Sequence, residues 1–367
     1  MYFKEVRLKN FRNYKDGLVS FHPKVNLITG KNAQGKTNLI ESLYIMSLGK
    51  SFRTSKDREM IAFNEDYCIV RCIYVKEGRE NEIEIVISKK GKAIKVDGAK
   101  ISKTSQLLDN IYTVVFSPED LKIVKDEPEK RRRFIDRELC HLKPVYYKEL
   151  QSYKKILLQR NTLLKKGVDD LAMLDVWDRV LVEYGSRIVG KRKEFVEKLN
   201  ILSRKIHSRI TNGKEDLVIE YESNIIFNEE LSNIEYDFIE KLKKSRKKDI
   251  IRGTTSFGPH KDDIKISING IDVRHFGSQG QQRTAALSLK LAEIQLIKEE
   301  KGEDAILLLD DVLSELDKER QEFLIDTLSD TQLFITTTEF DNLLLDSIKA
   351  GYVFEVNAGR VEKTLTK

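Results

Sequence analysis

Gly30-Lys31-Asn32-Ala33-Gln34-Gly35-Lys36-Thr37 sets two glycines with four residues between them, followed by a lysine and a hydroxyl. That spacing suits phosphate chemistry. Gly30 and Gly35 let a tight loop turn its backbone N–H groups inward. With the positive end of a following helix, those groups hold phosphate oxygens. Lys36 would reach the β- and γ-phosphates of ATP and Thr37 would ligate Mg²⁺, with the whole of Gly30–Asn38 as the binding segment. An acid must meet this loop. Ile306-Leu307-Leu308-Leu309-Asp310 supplies it, because four aliphatics in a row cannot form a surface strand. Asp310 then emerges at the carboxyl edge of an open sheet and would hold Mg²⁺, largely through water. Asp311 would position or deprotonate the attacking water, or else cap a helix. Lys36 and Asp311 are therefore the catalytic candidates.

Gly277-Ser278-Gln279-Gly280-Gln281-Gln282 resembles the ABC signature, usually written Leu-Ser-Gly-Gly-Gln. Serine and glycine at a helix N-terminus make an anion site from N–H groups, dipole and hydroxyl. In the ABC family this second site faces the γ-phosphate held by the other subunit. The resemblance therefore implies Ser278, Gln279, Gly280 and Gln281 acting in trans, in an ATP-dependent homodimer. Leu313–Asp317 resembles the family's D-loop, with Ser314 and Asp317 as its site candidates. Gly277 and Gln279 depart from the transporter signature. Only threonines, Thr336 to Thr338, stand where ABC proteins often carry a histidine, which implies slow turnover. Ser117–Leu121 takes the place of the Q-loop without a glutamine. Glu119 or Asp120 there would either touch Mg²⁺-bound water or cap a helix.

The elements needed to hold these groups are legible. Val25–Thr29 reads as a short buried strand running into the loop, and Leu39, Ile40, Leu43, Tyr44 and Ile45 as the helix after it, stopped by Gly49. Strands are predicted at Val6–Leu8, Ile69–Val75, Glu82–Ser88, Lys92–Val96, Tyr112–Phe116, Leu217–Tyr221, Ile264–Ile268 and Leu333–Thr336. Hairpins are predicted at Asn269-Gly270 and at Asn357-Ala358-Gly359. From about Glu127 to Ile210 the apolar spacing turns helical, at Leu150, Tyr153, Leu157 and Leu164, then Leu174, Leu181, Ile188, Phe195 and Leu199. Two antiparallel helices of roughly 30 to 50 Å, or an ordinary helical subdomain, fit this pattern. The predicted fold is α/β, an ABC-type P-loop head with a mixed sheet, formed by 1–118 and 253–367. A helical arm-like insertion, 119–252, interrupts it.

Lysine and arginine number 65 against 59 acids, for a net charge of +6. This permits nucleic-acid binding without requiring it. Three cysteines without metal-ligand spacing suit a reducing compartment. No apolar run is long enough for a membrane span, so a cytoplasmic protein without a membrane role is expected.

Further strings resemble the RecF family, SMC-like members of the ABC class. They are Lys9–Tyr14, the loop with Asn32-Ala33-Gln34 and Asn38-Leu39-Ile40-Glu41 after it, Leu48–Thr54, Phe116–Leu121, Gly258–Asp263 and Leu309–Asp317. The resemblance implies a DNA-binding ATPase of replication and recombinational repair that dimerises on ATP. It would act with RecR and RecO to load RecA at single-stranded gaps. Arg53, after the P-loop helix, would reach the nucleotide or serve a structural role. DNA-contact candidates are Arg131, Arg132, Lys191, Arg192, Lys243, Lys244 and Lys247, although basic runs on helices are commonly just solvated faces. Contacts would go mainly to phosphate and be salt-sensitive. A transport ATPase subunit would keep the Q-loop glutamine and the histidine, and a P-loop kinase would have no use for the signature.

Overall fold

Burial in the first strand follows its alternating sequence: Val6 and Leu8 are buried while Arg7 and Lys9 face solvent. The computed structural model describes residues 1–366 except 167–170, 226–230, 314–316, 318–319, 322, 325–330 and 339–349. It divides into two units, Met1–Leu121 with Glu293–Lys367, and Lys122–Ala292.

The first unit begins with β1 (Tyr2–Phe11), β2 (Tyr14–Ser20), β3 (Val25–Thr29), α1 (Lys36–Leu48), β4 (Tyr67–Lys76), β5 (Arg79–Ser88), β6 (Gly91–Val96), β7 (Ala99–Ile101) and β8 (Thr113–Phe116). Six of these strands form an antiparallel sheet in the order β2-β1-β4-β5-β6-β7. Its inner face carries Phe3, Leu8, Val70 and Ile85, which share one core with Leu39, Ile40 and Leu43 of α1. Burying each such side chain contributes about 1.5–3 kcal/mol. Helix α1 stops at Gly49, which is left-handed and donates its N–H to Ile45 O at 2.7 Å.

The second unit contains α2 (Leu121–Lys125), α3 (Pro128–Leu142), α4 (Pro144–Lys166), α5 (Leu171–Ile210), β9 (Leu217–Glu222), α6 (Leu231–Arg252), β10 (Asp263–Ile268), β11 (Ile271–Asp272), α7 (Val273–Phe276) and most of α8 (Gln279–Lys301). The 40 residues of α5 give a length of about 60 Å, beyond the expected arm. Its stripe of Leu174, Leu181, Ile188, Phe195 and Leu199 is buried. A third helix, α6, packs on α4 and α5. The unit continues past residue 252, the limit drawn from sequence, for a structural reason. β9, β10 and β11 form a sheet of their own, β9 packs on α5 and β10 packs on α3.

The chain then returns to the first unit with β12 (Ile306–Asp310), β13 (Leu333–Thr337), β14 (Gly351–Asn357) and β15 (Arg360–Thr366). The second sheet runs β15-β14-β3-β13-β12-β8, parallel throughout except for β15 at one edge. Inside it, β12 and β13 carry apolar runs, Ile306–Leu309 and Leu333–Ile335, that are buried throughout because both faces are covered.

Candidate nucleotide site

Strand register assembles the site. Asp310 pairs with Thr336 on β13, and Thr336 pairs with Ile28 on β3. The last residue of β12, the end of β13 and the start of the glycine loop therefore share one carboxyl edge. Gly30 has φ +143°, and a Cβ there would lie 2.4 Å from Val356 O on the neighbouring strand, so only glycine fits.

The loop is braced from outside. Asn13 Nδ2 donates to Gln34 O at 2.8 Å, Gly359 N to the same oxygen at 3.0 Å, and Ala358 N to Gln34 Oε1 at 2.7 Å. The buried Tyr14 hydroxyl donates to Gly35 O at 2.9 Å. In the sequence Asn13 and Tyr14 stand out only as family markers, and Ala358-Gly359 only as a turn. The fold uses Asn13, Tyr14 and Gly359 to hold loop carbonyls and Ala358 to hold the Gln34 side chain, which leaves the loop N–H groups free to turn inward.

Inside the loop, Lys36 Nζ donates to Gly30 O at 2.6 Å and to Lys31 O at 3.1 Å. Burial lowers its pKa, while the Asp311 and Asp310 carboxylates pull it back up. Thr37 Oγ1 donates to Asp310 Oδ1 at 2.9 Å. Both are hard oxygen ligands, and donating its proton leaves Thr37 its lone pairs. The pair fits Mg²⁺, which takes one or two protein oxygens and completes its octahedron with water and phosphate. Burial raises the Asp310 pKa, opposed by hydrogen bonds from Thr37 and Thr336 and by the charge of Arg53.

Thr336, expected only as one of the threonines in the place of a histidine, is a site residue. Its hydroxyl donates to Asp310 Oδ1 at 3.0 Å and accepts the Asp311 N–H at 2.8 Å. Asp311 has φ +56°, a conformation non-glycine residues rarely hold without support. The expected signal was a histidine, so the threonine registered as a loss.

Arg53 is anchored beside the loop helix. Its Nη1 donates to Asn38 Oδ1 at 2.7 Å and reaches Glu41 Oε2 at 3.4 Å. The buried Glu41 also takes a two-pronged contact from Arg12, at 2.8 and 2.7 Å. Asp120 is buried and its Oδ2 accepts the Ser117 N–H at 2.8 Å, so it caps the turn, while Glu119 is exposed. In the D-loop, Ser314 lies outside the described residues. Asp317 accepts the Arg320 N–H at 3.0 Å.

The signature segment caps its own helix. Ser278 Oγ accepts the Gln281 N–H at 3.2 Å, and Gln281 Oε1 accepts the Ser278 N–H at 2.9 Å, a reciprocal box. Ser278, Gln279 and Gly280 are exposed. Because Ser278 is an acceptor in its cap, its hydroxyl proton stays available to an anion. Gly277 replaces the leucine of transporters for a steric reason: a Cβ would lie 2.6 Å from Val273 O of α7.

The basic candidates separate by burial, and two must be corrected. Arg131 is 3% exposed and forks onto Asp263 at 2.6 and 2.7 Å. Arg192 is 2% exposed and holds Asp136 at 2.7 Å and Pro259 O at 2.6 Å. Neither presents a guanidinium to a DNA phosphate. Arg132 donates to Asp262 O at 2.7 Å, and Lys191 pairs with Glu149 at 2.5 Å. Lys243 is exposed beside Glu240, and Lys244 and Lys247 are exposed on α6 without an ion-pair partner among the described residues. Cys68, Cys72 and Cys140 are all buried as free thiols. No described helix is long and apolar enough to cross a membrane.

Comparison with known proteins agrees with this architecture. The family model for the RecF/RecN/SMC N terminal domain matches residues 2–358. The DNA replication and repair protein RecF of Clostridium botulinum (strain ATCC 19397 / Type A) is 46% identical over 367 residues, covering 99% of this chain and 100% of its own. That of Clostridioides difficile (strain 630) is 45% identical over 363 residues, covering 98% of each. A solved structure of the recombination mediator protein RecF-ATP in the RecFOR pathway superposes with TM-score 0.92 at 40% identity, covering 99% of this chain and 98% of that one. An SMC head bound to the C-winged helix domain of ScpA has TM-score 0.57 at 16% identity, covers 100% of this chain and 98% of that one, and shares the fold. The transport-subunit reading finds no relative among these. An SMC-type ABC ATPase head with a helical insertion, matched along its whole length by repair proteins of this identity, belongs to the RecF family of DNA replication and repair proteins.

Proposed function

We propose that the chain binds ATP and Mg²⁺ at Gly30–Asn38, Thr37 and Asp310, and that ATP closes two copies head to tail. Each Ser278 helix end then caps the γ-phosphate held by the other copy. The observation that carries the nucleotide reading is the 2.9 Å contact from Thr37 Oγ1 to Asp310 Oδ1, a junction of glycine loop and strand acid whose two oxygens would hold a phosphate-bound Mg²⁺. Lys36 supplies charge to the phosphates. Asp311, held by Thr336, orients the attacking water and accepts its proton. Mg²⁺, when bound, neutralises charge developing on the phosphates. Slow hydrolysis opens the dimer, so the nucleotide acts as a timer.

The dimer would sit on DNA at gaps or single- to double-strand junctions and support RecA loading with RecO and RecR. The solved RecF-ATP relative is described within the RecFOR pathway, which supports this placement. Lys243, Lys244 and Lys247 on α6 are the remaining exposed candidates for phosphate contacts. Sedimentation of the purified chain tests the reading. With ATP, Mg²⁺ and gapped duplex it should move as a DNA-bound dimer, and without nucleotide as a monomer. A chain that stays monomeric and off DNA with ATP rejects it.

A further inference from the structure

Gln281 is held from two sides. Its Oε1 accepts the Ser278 N–H at 2.9 Å, and its Nε2 donates to Glu215 Oε1 at 3.0 Å. The other Glu215 oxygen lies 3.0 Å from His207 Nε2. His207 is fully buried in the last turn of α5, and its Nδ1 lies 3.0 Å from Ser288 Oγ of α8. Residues 281 and 288 are about two helical turns apart and share one face of α8. The end of the 40-residue helix α5 therefore meets α8 directly at Ser288, through His207, and indirectly at the signature glutamine, through Glu215 in the segment that follows α5.

The chemistry makes this grip directional. An amide can turn over, exchanging its oxygen and nitrogen. The Ser278 N–H can only donate, and the Glu215 carboxylate can only accept. With both in place, a single amide orientation satisfies both. With Glu215 gone, the amide can rotate and the Ser278 N–H loses its assured acceptor. The cap that holds the Ser278 hydroxyl then loosens.

We infer that Glu215, braced by His207, is a positioning residue for the signature: through it, α5 fixes the Gln281 amide and the Ser278 cap that a second copy must present to bound nucleotide. The inference rests on the composite-site reading above. It assigns no contact with nucleotide to Glu215 itself.

The test uses the full chain as wild type, Glu215→Ala, Glu215→Gln, Gln281→Ala and the Glu215→Ala/Gln281→Ala double variant. Affinity for a non-hydrolysable ATP analogue is titrated on dilute monomer, and the dimer dissociation constant is measured by sedimentation at saturating analogue. Monomer affinity should stay within about twofold throughout. Glu215→Ala should weaken the dimer roughly tenfold, as expected for one lost charge-assisted hydrogen bond. Glu215→Gln, which keeps one acceptor oxygen, should lose less, and the double variant should be no worse than its worse single. A role in folding alone would not give this coupling or the partial rescue. If Glu215→Ala does not fold, Glu215→Gln with and without Gln281→Ala carries the same comparison. Wild-type dimerisation matched by Glu215→Ala, or losses that multiply in the double variant, overturns the inference. A wild type that fails to dimerise at all removes the composite site itself and this inference with it.

Discussion

Thr336 accepts the backbone N–H of Asp311 at 2.8 Å, and so holds a strained left-handed residue where the attacking water would be oriented. The same hydroxyl donates to Asp310 at 3.0 Å. Thr336→Val keeps the shape and removes both bonds. Leaving the Asp311 N–H unpaired costs about 1–3 kcal/mol of local order. ATP turnover should fall at least about tenfold, since each 1.4 kcal/mol is a factor of ten. ATP affinity should change little, and Thr336→Ser should restore turnover. Steady-state hydrolysis beside equilibrium nucleotide binding checks this, and equal turnover in wild type and the valine variant would remove Thr336 from the site.

The proposed site assigns different steps to its residues, and three substitutions separate them. Lys36→Ala should weaken binding of ATP itself. Ser278→Ala should leave monomer affinity for ATP intact and abolish the dimer, with a small stability loss of about 1 kcal/mol from the missing cap. Asp311→Asn should bind and dimerise but hydrolyse slowly, trapping the ATP-bound dimer. Size-exclusion profiles with ATP and Mg²⁺ distinguish the three. Normal dimerisation of Ser278→Ala would refute the in-trans role.

The glycine loop, the strand acid and the signature were legible because each is a local string with a fixed spacing. So was α1, whose glycine stop at Gly49 is where the sequence placed it. What stayed hidden depends on strand register and long-range packing. No local pattern says that Thr336 falls opposite Asp310, or that Asn13 and the 357–360 hairpin grip Gln34. The basic residues failed as a surface signal for the same reason. Arg131 and Arg192 read as charge on a helix, yet their partners Asp263 and Asp136 lie far from them in sequence and bury them. The second unit's extent was hidden likewise, because only the paired sheet shows that β10 belongs with the helices.

Gly277 carries a prediction of its own. Gly277→Leu would restore the first residue of the transporter signature but place a Cβ 2.6 Å from Val273 O. Backbone must shift to admit it, at a cost of about 1–3 kcal/mol. The movement falls on the Ser278 cap, so the variant should lose ATP-dependent dimerisation and melt at lower temperature. Sedimentation and a thermal melt test both parts. A leucine variant that dimerises like wild type would show that α7 yields freely.

Buried and exposed cations should behave oppositely. Arg131→Ala leaves Asp263 without its fork and should destabilise the fold by about 3 kcal/mol. Lys244→Ala and Lys247→Ala should leave stability within about 0.5 kcal/mol. If α6 contacts phosphates, each should lower DNA affinity and reduce the salt slope by roughly one. Urea unfolding and DNA titration at several salt concentrations separate the cases. Unchanged salt slopes in the double lysine variant would move the DNA surface off α6.

His260 makes the second unit acid-sensitive. Its Nε2 donates to Thr255 O at 3.0 Å, which leaves Nδ1 to accept the Tyr153 hydroxyl at 2.7 Å. Burial lowers its pKa to about 4, helped by the charges of Lys261, Arg132 and Arg192 and opposed by the Thr255 carbonyl. In the unfolded chain a histidine takes its proton near pH 6.5. Between about pH 4 and 6.5 the unfolded state therefore binds more protons, so stability rises with pH there and is lost on acidification. The full effect is about 3 kcal/mol. Neighbouring Asp262, whose pKa burial raises, works in the opposite direction but is common to wild type and variant. His260→Gln keeps a donor and an acceptor for Thr255 and Tyr153 and cannot titrate. Urea unfolding at about pH 7 and about pH 4.5 should show the wild type losing more stability than the glutamine variant. Equal losses would mean that His260 is already protonated within the fold, against the neutral tautomer its two partners select.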